Sequence, residues 1–337
     1  MSKNFDYVFV LGYGWSGSSA VVDLLKEFSS CWEGNIEFRA IKDPYGVHDL
    51  HHAIVENWEI LNVDAAIKDF WWQMKHLDKV SGKFSLQAGL GYKKYFHDQF
   101  LPATQNFLKK LVSYQYKSSW WFFDFKRDGI RLIYTKVMRK LKLHEDKMIF
   151  SAVSDHDFCQ YAQEYMDELF NPLIDNAHIK HVILDQAVNF SAYKEEARYF
   201  RSSKIIVVDR DPRDIYADLV QGRNLLGREL AESHDAMKYI QMHKAYRRNI
   251  KELKNDSDVL FLQFEELLQS YDKVVDRIIE FLGLDKNDHI RKKQYFDPEI
   301  SKKNMGIWKN ILTDMEKQVI EDKLGDYIPN ESYKEII

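Results

Sequence analysis

Residues 7–28 constrain the fold of this chain more than any other stretch. An apolar run, Tyr7-Val8-Phe9-Val10-Leu11, leads into Gly12-Tyr13-Gly14-Trp15-Ser16-Gly17-Ser18-Ser19, and an amphipathic stretch follows to Phe28. The order is that of a strand, a glycine- and serine-rich loop, and a helix. Glycines let the backbone turn so that successive N–H groups converge. A helix beginning near Ser18 adds the positive end of its dipole, and the serine hydroxyls add donors. Such a loop cradles a phosphate-like anion, and Gly14, Trp15, Ser16, Gly17, Ser18 and Ser19 are its candidate ligand contacts. The nucleoside triphosphatase pattern G-x-x-x-x-G-K-[ST] fits except that Ser18 stands where the lysine belongs. Without that lysine, another phosphoryl or sulfuryl ligand is expected. The plainer alternative is an ordinary strand-to-helix turn.

Other apolar runs recur at 148–153, 181–184, 204–208 and 259–262. Most are continuous, as expected of parallel strands buried on both faces. Helical periodicity follows at 18–28, 214–220 and 265–282. Strands alternating with helices predict an α/β fold with a doubly wound, mainly parallel sheet, whose ligands bind beyond the carboxyl ends of its strands. Residues 47–170 read as a large helical insertion. With six prolines in 337 residues and no glycine/serine linker, a single domain spanning 1–337 is expected.

Composition excludes several classes. A hydrophobic fraction of 45% supports a sizeable core, and a net charge of −4 gives no field to collect nucleic acid. The only cysteines, Cys31 and Cys159, are too few for a disulfide framework. The N-terminus runs directly into a strand, without a signal-peptide apolar region, and no uncharged run is long enough to span a bilayer. A cytoplasmic chain is expected.

A second anion site is legible at 203–216. A buried strand ends in Arg210, and Asp211-Pro212 opens a helix, with Pro212 suited to its first turn. A fork-shaped guanidinium there can hold a phosphate bidentately. The alternative is a structural ion pair with Asp209 or Asp214.

With these segments the chain resembles the sulfotransferases that use 3′-phosphoadenosine 5′-phosphosulfate (PAPS). That family has an N-terminal strand–loop–helix, then a strand ending in Arg-x-Pro-x-Asp. A strand with an acidic turn, a Phe-Leu-Gly-Leu helix end and Gly-x-Trp-Lys-Asn follow. Here these are Arg210-Asp211-Pro212-Arg213-Asp214, residues 259–267 with Phe264-Glu265-Glu266, Phe281-Leu282-Gly283-Leu284, and Gly306-Ile307-Trp308-Lys309-Asn310. The resemblance implies a P-loop-like fold and the 5′-phosphosulfate over the first loop. It also implies Arg210 on the 3′-phosphate, and transfer of a sulfuryl group to a hydroxyl of a carbohydrate or glycolipid. PAPS is the implied co-substrate, and no metal is required. The chain departs from the pattern in three places. Trp15 stands where the family has a cation for the transferring group. Asp218 stands where it has a serine on the 3′-phosphate, and Ser301-Lys302-Lys303 replaces Arg-Lys-Gly. Lys302 and Lys303 remain able to supply charge at the 3′-phosphate.

Sulfuryl transfer needs a base for the acceptor hydroxyl. Several carbohydrate and tyrosyl sulfotransferases have a glutamate closely followed by an arginine after the first helix, which Glu37 and Arg39 match. Glu33 is the second choice. Arg39 is also a possible substitute for the cation missing at Trp15. Gln186 and Asn189, beyond a strand end, are candidate contacts of donor or acceptor, and Asp185 a helix cap. His48 and His52 have the spacing of metal ligands on one helix face, but surface histidines are the commoner explanation and no metal is expected. Asp155-His156-Asp157 reads as a cation or base site or, more commonly, as a loop turn. The aromatics Tyr114, Tyr116, Trp120, Trp121, Phe122, Phe123 and Phe125 read as core or as a sugar platform. The basic stretch Arg127, Arg131, Lys136, Arg139, Lys140 and Lys142 reads as a solvated face, or as an attractor of an anionic glycan or membrane surface. Two rivals stand beside a sulfotransferase: a P-loop kinase, against which the missing lysine speaks, and a non-catalytic nucleotide-binding scaffold, which Trp15 and Asp218 favour.

Overall fold

The computed structural model describes residues 5–81, 88–118, 120, 122–125, 127, 129–142, 146–174, 177–222 and 233–329; in the second strand, the side chains of residues 35 and 36 lie outside that set. The strands are β1 (Asp6–Gly12), β2 (Cys31–Glu37), β3 (Tyr114–Lys117), β4 (Lys147–Phe150), β5 (His181–Asp185), β6 (Ser203–Asp209) and β7 (Val259–Gln263). Two compact units result, one from residues 1–38 with 174–337, the other from 39–173.

The first unit holds a five-stranded sheet in the order β2-β5-β1-β6-β7, with every neighbouring pair parallel. It is the α/β sheet expected. Alternation along β1 buries both of its faces. Val8 and Val10 face the helices Ser18–Leu25 (α1) and Tyr271–Leu282, while Tyr7 and Phe9 pack edge-on against Phe200. A strand covered on both sides needs no polar alternation, which is why its sequence is a continuous apolar run. Gly283, at φ 69°, supplies the left-handed turn that ends the helix Tyr271–Leu282.

The second unit is mainly helical, with its longest helices at Ile60–Asp78, Phe100–Leu111, Ile130–Lys140 and Asp155–Phe170. It corrects one expected strand: residues 147–150 pair antiparallel with β3 in a separate two-stranded sheet and do not join the parallel one. An apolar run of three residues, Met148–Phe150, satisfies either environment. The aromatic stretch holds that other strand, with Tyr114 exposed; Trp121 and the side chains of Phe122 and Phe123 lie outside the described residues. Asp155-His156-Asp157 opens a helix capped by Ser154 Oγ, which accepts from Asp157 N, so the expected turn is a helix start. Residues 31–37, read only as a segment after α1, form the edge strand β2. Their mixed Cys-Trp-Glu-Gly composition suits an edge and gives no apolar signal.

Candidate active site

The glycine loop leaves the carboxyl end of β1, between its neighbours β5 and β6. Gly14 and Gly17 adopt φ of 76° and 88°, and Trp15 follows at 52°. Ser16 is buried, and its Oγ accepts from Tyr13 N at 3.0 Å, closing the loop on itself. The helix α1 begins at Ser18 with no acidic residue in its first turn, so its N-terminal N–H groups meet no carboxylate of their own helix. Gln186, itself at φ 52°, donates from Nε2 to Gly12 O (3.2 Å) and Ser18 Oγ (3.3 Å). It braces the loop. Asn189 Nδ2 donates to Glu196 Oε1 at 2.9 Å, a structural contact.

Arg210 follows β6, and its side chain is 4% exposed. Its guanidinium donates to Trp15 O (3.0 Å), to Asn304 O and to Asp218 Oδ2, and lies 5.3 Å from the centre of the Phe264 ring. Its buried Nε has no hydrogen-bond partner among the described residues. Neither anticipated structural partner takes the guanidinium. Asp209 is held bidentately by Arg247 (3.0 and 2.6 Å), and Asp214 accepts from Gly306 N (2.7 Å) and Trp308 N (3.1 Å). Asp214 therefore ties the glycine–tryptophan segment to the helix that Arg210 precedes. Arg213 reinforces the tie, with its guanidinium 4.1 Å from the Trp308 ring centre.

Arg210, Trp15, Gly17, Ser19, Phe264 and Asp218 share a cavity of about 620 Å³. This is the size of a small-molecule site. The far wall comes from residues 295–297, 300, 301 and 304, which sequence reasoning missed except for Ser301. Asp23 and Asp297 also line it, so among the described lining residues Arg210 is the only cation, against three aspartates. Lys302 is not among them; its Nζ pairs with Glu299 at 2.7 Å, and Lys303 is exposed. Beside Arg210, burial pushes the Glu265 carboxyl up from 4.5 to about 7, although its Oε1 accepts from Asp211 N at 2.9 Å. Sequence reasoning placed this residue in an acidic turn but gave it no role.

Glu37 ends β2, is exposed, and lies in register with Asp185, which is in register with Val10 of β1. At about 4.8 Å per strand, the Glu37 backbone is about 10 Å from that of β1, on the same carboxyl edge as the loop. Glu33 is held by Lys26 at 3.2 Å. In the second unit, Arg39 forks onto Asp43 (2.9 and 2.6 Å). Of the neighbouring histidines, His52 pairs with Glu56 at 2.8 Å, while the buried His51 meets Asp155 at 3.1 Å. Cys159 lies close enough for its Sγ and those two groups to fall within 4.8 Å of one another. The His51–Asp155 pair joins two helices.

A profile of the sulfotransferase family matches residues 7–288. The chain belongs to the sulfotransferase family. No curated protein matches it significantly. Among solved structures it is similar to the sulfotransferase domain of the Synechococcus PCC 7002 olefin synthase, at 12% identity over 97% of each chain (TM-score 0.43). It is also similar to sulfotransferase STF9 from Mycobacterium avium, at 12% identity over 97% of this chain and 78% of that one (TM-score 0.38). A third is retinol dehydratase in complex with androsterone and the inactive cofactor PAP, at 14% identity over 97% and 81% (TM-score 0.37). In this sulfotransferase, Ser18 follows Gly17 in the loop after β1, where the nucleoside triphosphatase pattern has lysine. Among its described residues, no helix is long and apolar enough to cross a membrane.

Proposed function

We propose that this sulfotransferase uses PAPS and transfers its sulfuryl group to a hydroxyl of a carbohydrate or glycolipid acceptor. The observation that carries the reading is Arg210: a buried guanidinium whose Nε has no partner among the described residues, on the wall of a nucleotide-sized cavity that the glycine loop also lines. Backbone N–H groups of residues 16–19 hold the 5′-phosphosulfate, and Arg210 holds the 3′-phosphate. Glu37 takes the proton of the acceptor hydroxyl as its oxygen bonds to sulfur. The sulfur–oxygen bond to the nucleotide breaks, and adenosine 3′,5′-bisphosphate leaves with the bonding pair. The chain's own groups supply binding, orientation and the proton acceptor, and no step calls for a metal.

The test is calorimetric titration with adenosine 3′,5′-bisphosphate, adenosine 5′-phosphate and ATP, repeated on Arg210→Ala with its melting temperature as a folding control. A charge-assisted hydrogen bond contributes about 1.5–3 kcal/mol. The 3′,5′-bisphosphate should bind best and lose affinity by about that amount in the variant, while adenosine 5′-phosphate changes little. Equal loss for both ligands makes Arg210 a structural residue. Tighter binding of ATP returns the site to the kinase class. A second reading, a nucleotide-binding scaffold without turnover, draws on Asp218 covering Arg210 and on Trp15 in place of a cation. Bisphosphate binding without transfer to any hydroxylated glycan screened with radiolabelled donor would favour it.

A further inference from the structure

The helix Ile130–Lys140 presents its apolar side outward. Ile130, Ile133, Tyr134, Val137 and Leu141 are between 50 and 85% exposed. They recur at steps of three and four, so they form one stripe along the helix. The opposite side fixes this orientation. Thr135 is buried, and Arg139 is clamped by Asp124 (2.9 Å) and by Asp146, which Arg127 also holds at 2.6 Å. The helix therefore cannot roll to hide its stripe without breaking those pairs. Arg131 projects from one flank of the stripe and Lys136 and Lys140 from the other. All three are exposed and in no ion pair among the described residues. Residues 130–142 contain five lysines and arginines and no acidic residue, in a chain whose net charge is −4.

We propose that this helix binds the surface of an anionic lipid bilayer, lying in the interface plane with its stripe among the acyl chains. At 11 residues it is about 16 Å long, far too short to span. Apolar residues edged by cations on both sides, with a tyrosine among them, match an interfacial helix. Lysine is depleted at the core of protein–protein interfaces, so the flanks favour headgroups over a second protein surface. The inference is independent of the sulfuryl-transfer reading, because its readout is lipid binding.

The experiment is co-sedimentation of the full chain with vesicles of 70:30 phosphatidylcholine and phosphatidylserine, and with pure phosphatidylcholine. Each cation near an anionic surface multiplies partitioning about fivefold, so three should give about a hundredfold preference for the first. Ile133→Asp with Val137→Asp changes two exposed positions and should abolish retention without moving the melting temperature. Should that variant fail to fold, Lys136→Glu with Lys140→Glu decides, and should lose at least about tenfold of the preference. No retention of the wild type, or retention unchanged in the variants, overturns the proposal. A wild-type dimer in light scattering that the aspartate variant splits, without vesicle binding, also overturns it and makes the stripe a contact between copies.

Discussion

Asp218 stands on the guanidinium of Arg210 in the place a phosphate oxygen would take. A bound 3′-phosphate has to displace that carboxylate or share the arginine with it. Asp218→Ser should therefore raise affinity for adenosine 3′,5′-bisphosphate by about 10- to 100-fold, the equivalent of one charged hydrogen bond. Adenosine 5′-phosphate should be indifferent, and calorimetry with both ligands reads the difference. Glu37→Gln should cut turnover by about 10²–10⁴-fold, the usual contribution of a positioned base, with donor affinity nearly intact. Joint loss of turnover and donor binding would give Glu37 a shaping role instead. Glu265 carries a pH signature. Its carboxyl is pushed from 4.5 to about 7 by burial, so the folded state holds the proton more tightly than the unfolded chain does. Its contribution to stability is then greatest below about pH 4.5, declines as pH rises to about 7, and is flat above. Glu265→Gln keeps the acceptor for Asp211 N and removes the titration. The stability difference between wild type and variant, measured by denaturant unfolding across that window, should fall with rising pH. A pH-independent difference would place the proton elsewhere.

The loop and the strand that supports it act together. A Cβ on Gly17 would come within 2.3 Å of the Phe264 ring, and its φ of 88° suits glycine alone. From sequence, Gly17 was a candidate ligand contact; in the fold, a side chain there meets Phe264 first. Gly17→Val should thus lower stability by about 3 kcal/mol or more, from overpacking and left-handed strain together. Thermal unfolding should show it even without nucleotide, and an unchanged melting temperature would mean that the loop can move off the ring. Two parts of this unit were not equally legible. The loop is local: its glycines and serines are consecutive, so their roles could be read in order. The pairing of Asp214 with the N–H groups of Gly306 and Trp308 spans more than 90 residues, and no local pattern announces it.

At the scale of the molecule, Glu27 ties the start of the chain to its last third. It is fully buried just beyond α1. Its Oε1 accepts from Tyr295 N (3.1 Å) and Phe296 N (3.0 Å); its Oε2 accepts from Tyr271 OH (3.3 Å) and lies 2.8 Å from His289 Nε2. Tyr295 and Phe296 form part of the cavity wall, so the site's shape depends on a residue outside it. Removing the acceptor of buried donors costs about 1–3 kcal/mol each. Glu27→Ala should therefore destabilise by at least about 3 kcal/mol and weaken adenosine 3′,5′-bisphosphate. Denaturant titration and calorimetry check both, and a stable variant with normal affinity would remove Glu27 from this role. The sequence alone determined the strand–loop–helix, the parallel sheet built from apolar runs, and Arg210 at a strand end, because each rests on residues adjacent in the chain. Only the tertiary structure decided that residues 147–150 leave that sheet, that Lys302 turns to Glu299, and that Asp218 covers Arg210. It alone built the cavity wall from residues 295–304 and left the stripe of Ile130–Lys140 facing outward. Those outcomes depend on which distant groups compete for one partner, and a linear pattern carries no term for that competition.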